Sequence, residues 1–281
     1  MANDNDNLDK RADLYLSEGN ADSLFEAVQN GNRKLIEDLL KRGADLNAKD
    51  RYGKTALHYA ADDHEWELVQ WLAEQGANVN AKDRYGKTAL HYAADDHEWE
   101  LVQWFVGHGA DVNAKSKGGE TVLHSVANDY EWELVQWLVE HGADVNAKNK
   151  DGETVLHSVV KNGDMNLVQW LVEHGADVNA KTNSGKTAMH VAAYDEKWDM
   201  VLWLIERGCN IDLKENDGMT VLLYAASGRD WEQVKRFVKL GADVNATNKD
   251  GKSVLYFVNS YDEWELVQWL VERGADVNSK N

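Results

Sequence analysis

The chain has 281 residues, with 30 Lys and Arg against 49 Asp and Glu, a formal charge of −19, and 43% hydrophobic content. That balance excludes a polyanion ligand, because gripping nucleic acid or an anionic membrane face rests on Lys and Arg neutralising phosphate. The single cysteine, Cys209, excludes an internal disulfide framework and fits a reducing compartment. In chain order, the opening MANDNDNLDKRADLYL has no basic end followed by an apolar run, so a Sec-type leader is not expected. Leu8–Ser17 is expected to form one helix within an acidic segment, residues 1–19. Leu24-Phe-Glu-Ala through Gly43-Ala-Asp-Leu-Asn then reads as a degenerate first repeat covering residues 20–48.

From there the chain copies itself. The opening GKTALH recurs in variant form at Gly53, Gly86, Gly119, Gly152, Gly185, Gly218 and Gly251, always 33 residues apart. A second landmark, GADVN, recurs on the same period at Gly43, Gly76, Gly109, Gly142, Gly175, Gly208, Gly241 and Gly274. Residues 47–71 and 80–104 are identical over 25 positions, the mark of a recent duplication or of deliberate copying. Seven complete repeats therefore span 49–279, leaving a tail at 280–281. Each repeat reads as two short helices and a turn, which makes the chain all-α. Thr55 suits an N-cap, a short helix runs through the small Ala60 and Ala61, and Asp62-Asp63-His64 makes a polar turn. A longer helix, Trp66 to Leu72, ends at Gly76 in the left-handed position that closes helices. No run approaches 18 apolar residues, so no membrane span is expected.

With these landmarks the sequence resembles the ankyrin-repeat family, whose unit is 33 residues long with T-P-L-H-x-A and G-A-D-V-N-A. The resemblance implies an ankyrin-repeat solenoid of helix-turn-helix units joined by β-hairpin-like loops. It departs from the family in two respects. The chain contains no proline, and the T-P-L-H position holds Ala56, Ala89, Val122, Val155, Ala188, Val221 and Val254. The glycine usual between the helices survives at Gly163, while His64, His97, Tyr130, Glu196, Arg229 and Asp262 replace it elsewhere.

The 12 tryptophans follow the period. Trp66, Trp99, Trp132, Trp198, Trp231 and Trp264 precede the core Leu-Val pair, with Met165 in the remaining repeat. Trp71, Trp104, Trp137, Trp170, Trp203 and Trp269 follow five residues later. On a helix, Leu68, Val69 and Leu72 define the buried stripe, and the two tryptophans lie roughly 110° to either side of it. Both shoulders of a stacked helix meet neighbours, so packing between repeats is the expected role. In the first repeat the same positions are Arg33 and Asp38, as befits a solvent-facing cap. The last repeat keeps both tryptophans, which suggests either a longer array or an end covered by a second copy.

Chemistry is sparse. His58, His91, His124, His157 and His190 share one repeat position and are expected to make structural hydrogen bonds. Asp62-Asp63-His64-Glu65 is read as a solvated turn in place of a metal site, and Cys209 as a small buried residue. No phosphate loop, dinucleotide fingerprint or nucleophile elbow occurs, so neither catalysis nor a cofactor is expected. The resemblance implies a non-enzymatic scaffold that binds another protein on a concave face made of hairpin tips, first helices and the following turns. By repeat position that face comprises the tips Arg51, Tyr52, Lys54, Arg84, Tyr85, Lys87, Lys117, Glu120, Lys150 and Glu153, with Lys186 further on. Its turns contribute Asp62, Asp63, Asp95, Asp96 and Asp129, with Asn128 and Asp195. Arg51, Tyr52, Arg84 and Tyr85 lead, since arginine and aromatic residues dominate binding hot spots. Three alternatives stand beside this: self-association through the C-terminal repeat, an engineered or recombined scaffold, and a substrate for asparagine hydroxylation. The last follows from the resemblance at Asn80, Asn146, Asn179 and Asn278, each with a leucine eight residues earlier. An intracellular location, or delivery into a host cell by a microbe, completes the expectation.

Overall fold

The computed structural model describes residues 20–129, 131–259 and 263–277. The expected helix at Leu8–Ser17, the segment 1–19, the tail 280–281 and the positions Tyr130, Asp262 and Asn278 lie outside them. Among the described residues there are helices and turns but no strands. A helix pair, α1 (Asn20–Gln29) and α2 (Arg33–Lys41), opens the chain. Pairs then recur in register: α3 (Ala56–Asp62) with α4 (Trp66–Glu74), α5 (Ala89–Asp95) with α6 (Trp99–Gly107), and α7 (Val122–Asn128) with α8 (Trp132–Glu140). They continue as α9 (Val155–Asn162) with α10 (Met165–Glu173), α11 (Ala188–Tyr194) with α12 (Trp198–Glu206), α13 (Val221–Ser227) with α14 (Trp231–Lys239), and α15 (Val254–Asn259) with α16 (Trp264–Val271). The chain divides into two compact halves, one ending at Asp144 and the other beginning at Val145.

Each half is built by the same rule. A first helix packs on its own second helix and on the first helix of the next repeat. Small residues permit the close approach: Ala56, Ala60 and Ala61 are fully buried in α3, and Leu57 is nearly so. The second helix buries its Leu-Val-Leu stripe, Leu68, Val69 and Leu72 in α4. Burying such side chains contributes on the order of 1.5–3 kcal/mol each, and one repeat alone has no partner for them.

The first helix starts on a threonine in extended conformation, and its third residue, histidine, closes the cap. In α3 the imidazole Nδ1 of His58 accepts the Thr55 backbone N–H at 3.1 Å and lies 2.9 Å from the Thr55 hydroxyl. This is the reciprocal geometry of a capping box with imidazole in place of a carboxylate. Where Leu223 replaces histidine, the Thr220 hydroxyl instead accepts the Leu223 N–H at 3.3 Å.

The turn between paired helices needs a left-handed residue. Gly163 supplies it with φ 88°, but His64, His97, Glu196 and Arg229 are held there at φ 57°, 60°, 58° and 63°. A side chain in that region costs roughly 1–2 kcal/mol. The packing of the pair holds the strain in place.

The loops carry the joints between repeats. In the N-terminal half, Asn113 Oδ1 accepts the Asp144 N–H at 2.7 Å while its amide donates to the Gly142 carbonyl at 2.8 Å. In the C-terminal half, Asn245 does the same with Asp276 and Gly274, both at 2.8 Å. Lysine adds a second staple: Lys49 Nζ reaches the Lys82 carbonyl at 2.9 Å, and Lys82 that of Lys115 at 3.0 Å. The G-A-D-V-N-A-K run is therefore a set of joints spaced one repeat apart.

The tryptophans divide into two roles. Those opening the second helix face the next repeat: the Trp198 ring meets Phe237 edge-on at 5.9 Å, and Trp231 Nε1–H donates to Glu263 at 3.1 Å. Those five residues later turn back on their own helix, against expectation. Trp104, Trp137 and Trp170 stack on His108, His141 and His174 at 4.0, 3.8 and 3.8 Å. Residues four apart share a helix face, and each imidazole Nδ1 also reaches the carbonyl of its tryptophan. Trp71 follows the expected pattern, because Arg33 of the first repeat lies over its ring at 4.6 Å. Arg33 thus covers a neighbour's indole while remaining exposed.

Candidate interaction surface

The hairpin tips begin with a backbone lock. Asp50 Oδ1 accepts the N–H groups of Tyr52 and Lys54 at 2.8 and 2.7 Å, and its Oδ2 receives the Tyr59 hydroxyl at 2.9 Å. Burial and the Asp50 carboxylate push the Tyr59 hydroxyl up to about 12. Asp83 repeats the arrangement with Tyr85, Lys87 and Tyr92. Neighbouring tips are hydrogen-bonded: the Arg84 N–H donates to the Tyr52 carbonyl at 2.7 Å, and Lys117 to Tyr85 at 2.7 Å. That approach requires glycine. A Cβ on Gly86, where φ is 74°, would stand 2.8 Å from the Lys117 nitrogen.

On this frame the leading residues form a ladder. The Arg51 guanidinium lies 4.7 Å from the Tyr52 ring, and Arg84 lies 4.4 Å from Tyr52 and 4.6 Å from Tyr85. Arg84 is also bonded to the Tyr85 hydroxyl. Below the first tip a cavity of about 530 Å³ opens between Arg51, Tyr52, Tyr59 and Phe25, with Asp22 and Glu26 at its side. Phe25 and Tyr59 meet at 5.1 Å. No sequence pattern signals this cavity, which depends on the first helix of the degenerate repeat lying beside the next.

The charged residues turn out to be paired with each other. Lys54 Nζ lies 2.8 Å from Asp62 Oδ2 and stands 5.6 Å from the rings of both Tyr59 and Tyr92. Lys87 is bonded to Asp95. Basic tips and acidic turns are therefore joined, and their fields partly cancel. The turns also connect successive repeats, since His64 Nδ1 faces Asp96 and His97 Nδ1 faces Asp129, each at 3.5 Å. Burial raises Asp96 above the usual carboxylate value, outweighing the opposing pull of His64. Asp63 is exposed, and Lys117 and Glu120 sit on the third tip. Lys150 and Glu153 lie in the C-terminal half, where the Glu153 N–H closes its own tip on Asn149 at 3.0 Å. Further along, Lys186 faces Glu215 at 3.8 Å, and Asp195 holds Lys197 at 2.7 Å.

The recurring histidines are buried joints. His58 Nε2 lies 3.2 Å from the Lys87 carbonyl, His91 3.3 Å from that of Glu120, His157 3.3 Å from that of Lys186 and His190 3.0 Å from that of Leu213. Because Nδ1 faces an N–H donor, Nε2 carries the proton and the ring is neutral. Burial lowers the pKa of all four, against the opposing effect of the carbonyl bond. Cys209 is buried, its thiol pushed up to about 12 by burial and directed at the Val178 carbonyl. A thiol so protonated is a poor nucleophile. Among the described residues, no three His, Cys, Asp or Glu side chains converge as a cation site, and no helix is long and apolar enough to cross a membrane. Asn80 and Asn146 are engaged in the loop joints already described for Asn113.

Stacked helix pairs of constant length, joined by hairpin loops, define a helical repeat solenoid. A family profile described as ankyrin repeats (3 copies) matches residues 24–116, 97–182, 122–215 and 197–281, and the chain belongs to the ankyrin-repeat family. It resembles the crystal structure of the ankyrin repeat domain of Bcl-3, a unique member of the IkappaB protein family, with a TM-score of 0.63 and 32% identity, covering 77% of this chain and 97% of that one. It is also 43% identical over 54 residues to ankyrin repeat domain-containing protein SAT10 of Stachybotrys chartarum. That stretch covers 19% of this chain and 3% of the relative's length. Ankyrin repeats generally mediate protein–protein interaction and are generally non-enzymatic.

Proposed function

We infer that the protein is an intracellular binding scaffold and that it takes its protein partner on the tips and first helices of the N-terminal half. The observation that carries this reading is the ladder Arg51–Tyr52–Arg84–Tyr85 beside the cavity at Phe25 and Tyr59. Arginine and tyrosine are the residue types that dominate interface energetics. Here they are held in place by each other and by Asp50 and Asp83, which lowers the entropy lost on binding. The two tips carry identical residues, so a partner with a repeated or two-fold feature fits them. Lys117, Glu120, Asp62, Asp63, Asp95, Asp96 and Asp129 extend the same surface, and Lys150 and Glu153 are proposed to serve the partner from the other half.

A pull-down from native lysate with the wild-type chain and with an Arg51/Tyr52/Arg84/Tyr85 quadruple-alanine variant tests this. The expected result is a protein captured by the wild type and lost with the variant, while the melting temperature of the variant stays within a few degrees. Identical captures would overturn it.

Self-association through the C-terminal repeat is the second reading, supported by Trp264, which is 75% exposed, with Val271 exposed on the same helix. Apparent mass at two concentrations, with and without Trp264→Ala, separates the readings: a mass that rises with concentration only when Trp264 is present favours it.

A further inference from the structure

The opening tryptophan of the second helix is present in every complete repeat except the one that carries Met165. Trp231 shows where this indole goes, donating from Nε1 to Glu263, the residue before the next second helix. After Met165 the corresponding residue is not an acid but Lys197. The indole and its acceptor are thus missing together, and the space remains: a cavity of about 540 Å³ opens there, bounded by Met165, Trp198, Met200, Glu196, Asp199 and Gln233. Its volume falls within the roughly 300–1,000 Å³ typical of ligand pockets. It lies at the turns and second helices of the C-terminal half, away from the tips.

The polar groups around this slot favour a donor. Lys197 is already engaged, its Nζ bonded to the Lys161 carbonyl at 2.8 Å and to Asp195 at 2.7 Å. What remains is acceptors: the carboxylates of Glu196 and Asp199, and Gln233 Oε1, which is buried without a hydrogen-bond partner. An unpaired buried oxygen of this kind costs about 1–3 kcal/mol, and it is recovered when a donor arrives. Gln233 stands where other repeats place a core leucine such as Leu68. Anions are disfavoured by these carboxylates and by a chain of charge −19.

The aromatic wall narrows the choice. Trp198 touches Phe237 edge-on, whereas elsewhere this chain repeatedly sets a guanidinium over an indole: Arg33 over Trp71 at 4.6 Å, Arg207 over Trp203 at 4.9 Å and Arg273 over Trp269 at 3.8 Å. A guanidinium is planar and weakly hydrated and presents five donors, while an ammonium is compact and strongly hydrated. We propose that the Met165–Trp198 slot is a second binding site, which takes an arginine side chain from a basic protein partner. The guanidinium stacks on Trp198 and donates to Glu196, Asp199 and Gln233, and its aliphatic stem lies along Met165.

The probes are acetyl-arginine-methylamide and its lysine and tryptophan counterparts, titrated while the Trp198 indole N–H resonance is followed, assigned through Trp198→Phe. The arginine probe is expected to shift that resonance with millimolar affinity, and the lysine probe to bind at least fivefold more weakly. Met165→Trp, which restores the indole of the other repeats, is expected to weaken the arginine probe tenfold or more, as is the surface change Asp199→Asn combined with Glu196→Gln. The tip quadruple-alanine variant should bind the probe as the wild type does, so this site and the tip surface fail separately. An equal response to lysine, a stronger response to tryptophan, or indifference to both sets of substitutions would overturn the proposal.

Discussion

The neutral imidazoles at the repeat joints make stability depend on pH in a direction that their bonds dictate. A second proton on His190 would have to enter at Nδ1, which already faces the Thr187 N–H at 3.2 Å. Burial lowers its pKa below 6.5 in the folded state. The unfolded chain therefore binds protons first as the pH falls, and stability is lost from about pH 6.5 downward. The loss continues until the folded pKa is reached. Melting temperatures recorded between pH 8 and 5 should fall steadily below 6.5. His190→Leu, which copies the leucine found at the equivalent Leu223, should flatten that fall, and an unchanged slope would refute the assignment. Glycine at the tip gives a second test. Gly86→Ala must place a Cβ within 2.8 Å of the Lys117 nitrogen at positive φ. It should cost more than about 1 kcal/mol and lower the melting temperature by several degrees.

Within a helix pair, the turn decides how much strain the fold carries. Gly163→Ala meets only the flexible end of Lys197, at 3.3 Å, so its penalty is conformational, about 1–2 kcal/mol. His64→Gly runs the other way, relieving φ 57° at the loss of an exposed 3.5 Å contact with Asp96. It should be neutral or stabilising by up to about 1 kcal/mol, measurable by urea titration. The opposite signs test the strain account, and two losses of equal size would count against it. This same element shows what a linear reading can reach. Constant spacing made the helix pairs, the left-handed turn and the capping histidine visible, because each is a local requirement repeated every 33 residues. The stacking of Trp104 on His108 was equally local, four residues apart, and was readable from that spacing alone. The pairing of Lys54 with Asp62 was not, since it depends on how a tip leans over its own first helix. Nor was the cavity at Phe25, formed by side chains of two repeats. The slot at Met165 lay between these extremes: the missing tryptophan was plain, but not that a space would remain.

Across the whole chain, an excess of acids over bases, 49 against 30, sets a repulsion that the visible ion pairs do little to offset. The Lys54–Asp62 pair is partly exposed, and pairs of that kind contribute at most about 1 kcal/mol each. Screening therefore weakens a few small attractions and a broader repulsion together, and the repulsion is the larger. Raising NaCl from about 10 mM, where the screening length is about 30 Å, to about 0.1 M, where it is about 10 Å, should raise the melting temperature at pH 7.5. A fall on adding salt would mean that the ion pairs dominate stability after all. The same experiment separates the two effects of acid. Protonating the exposed His108, His141 and His174 lowers the net negative charge and its repulsion, a long-range effect that salt removes. Protonating the buried histidines breaks contacts a few ångströms long, which salt leaves alone. The acid-induced loss of stability should therefore be at least as steep at high salt as at low salt, because screening takes away the only contribution that opposes it.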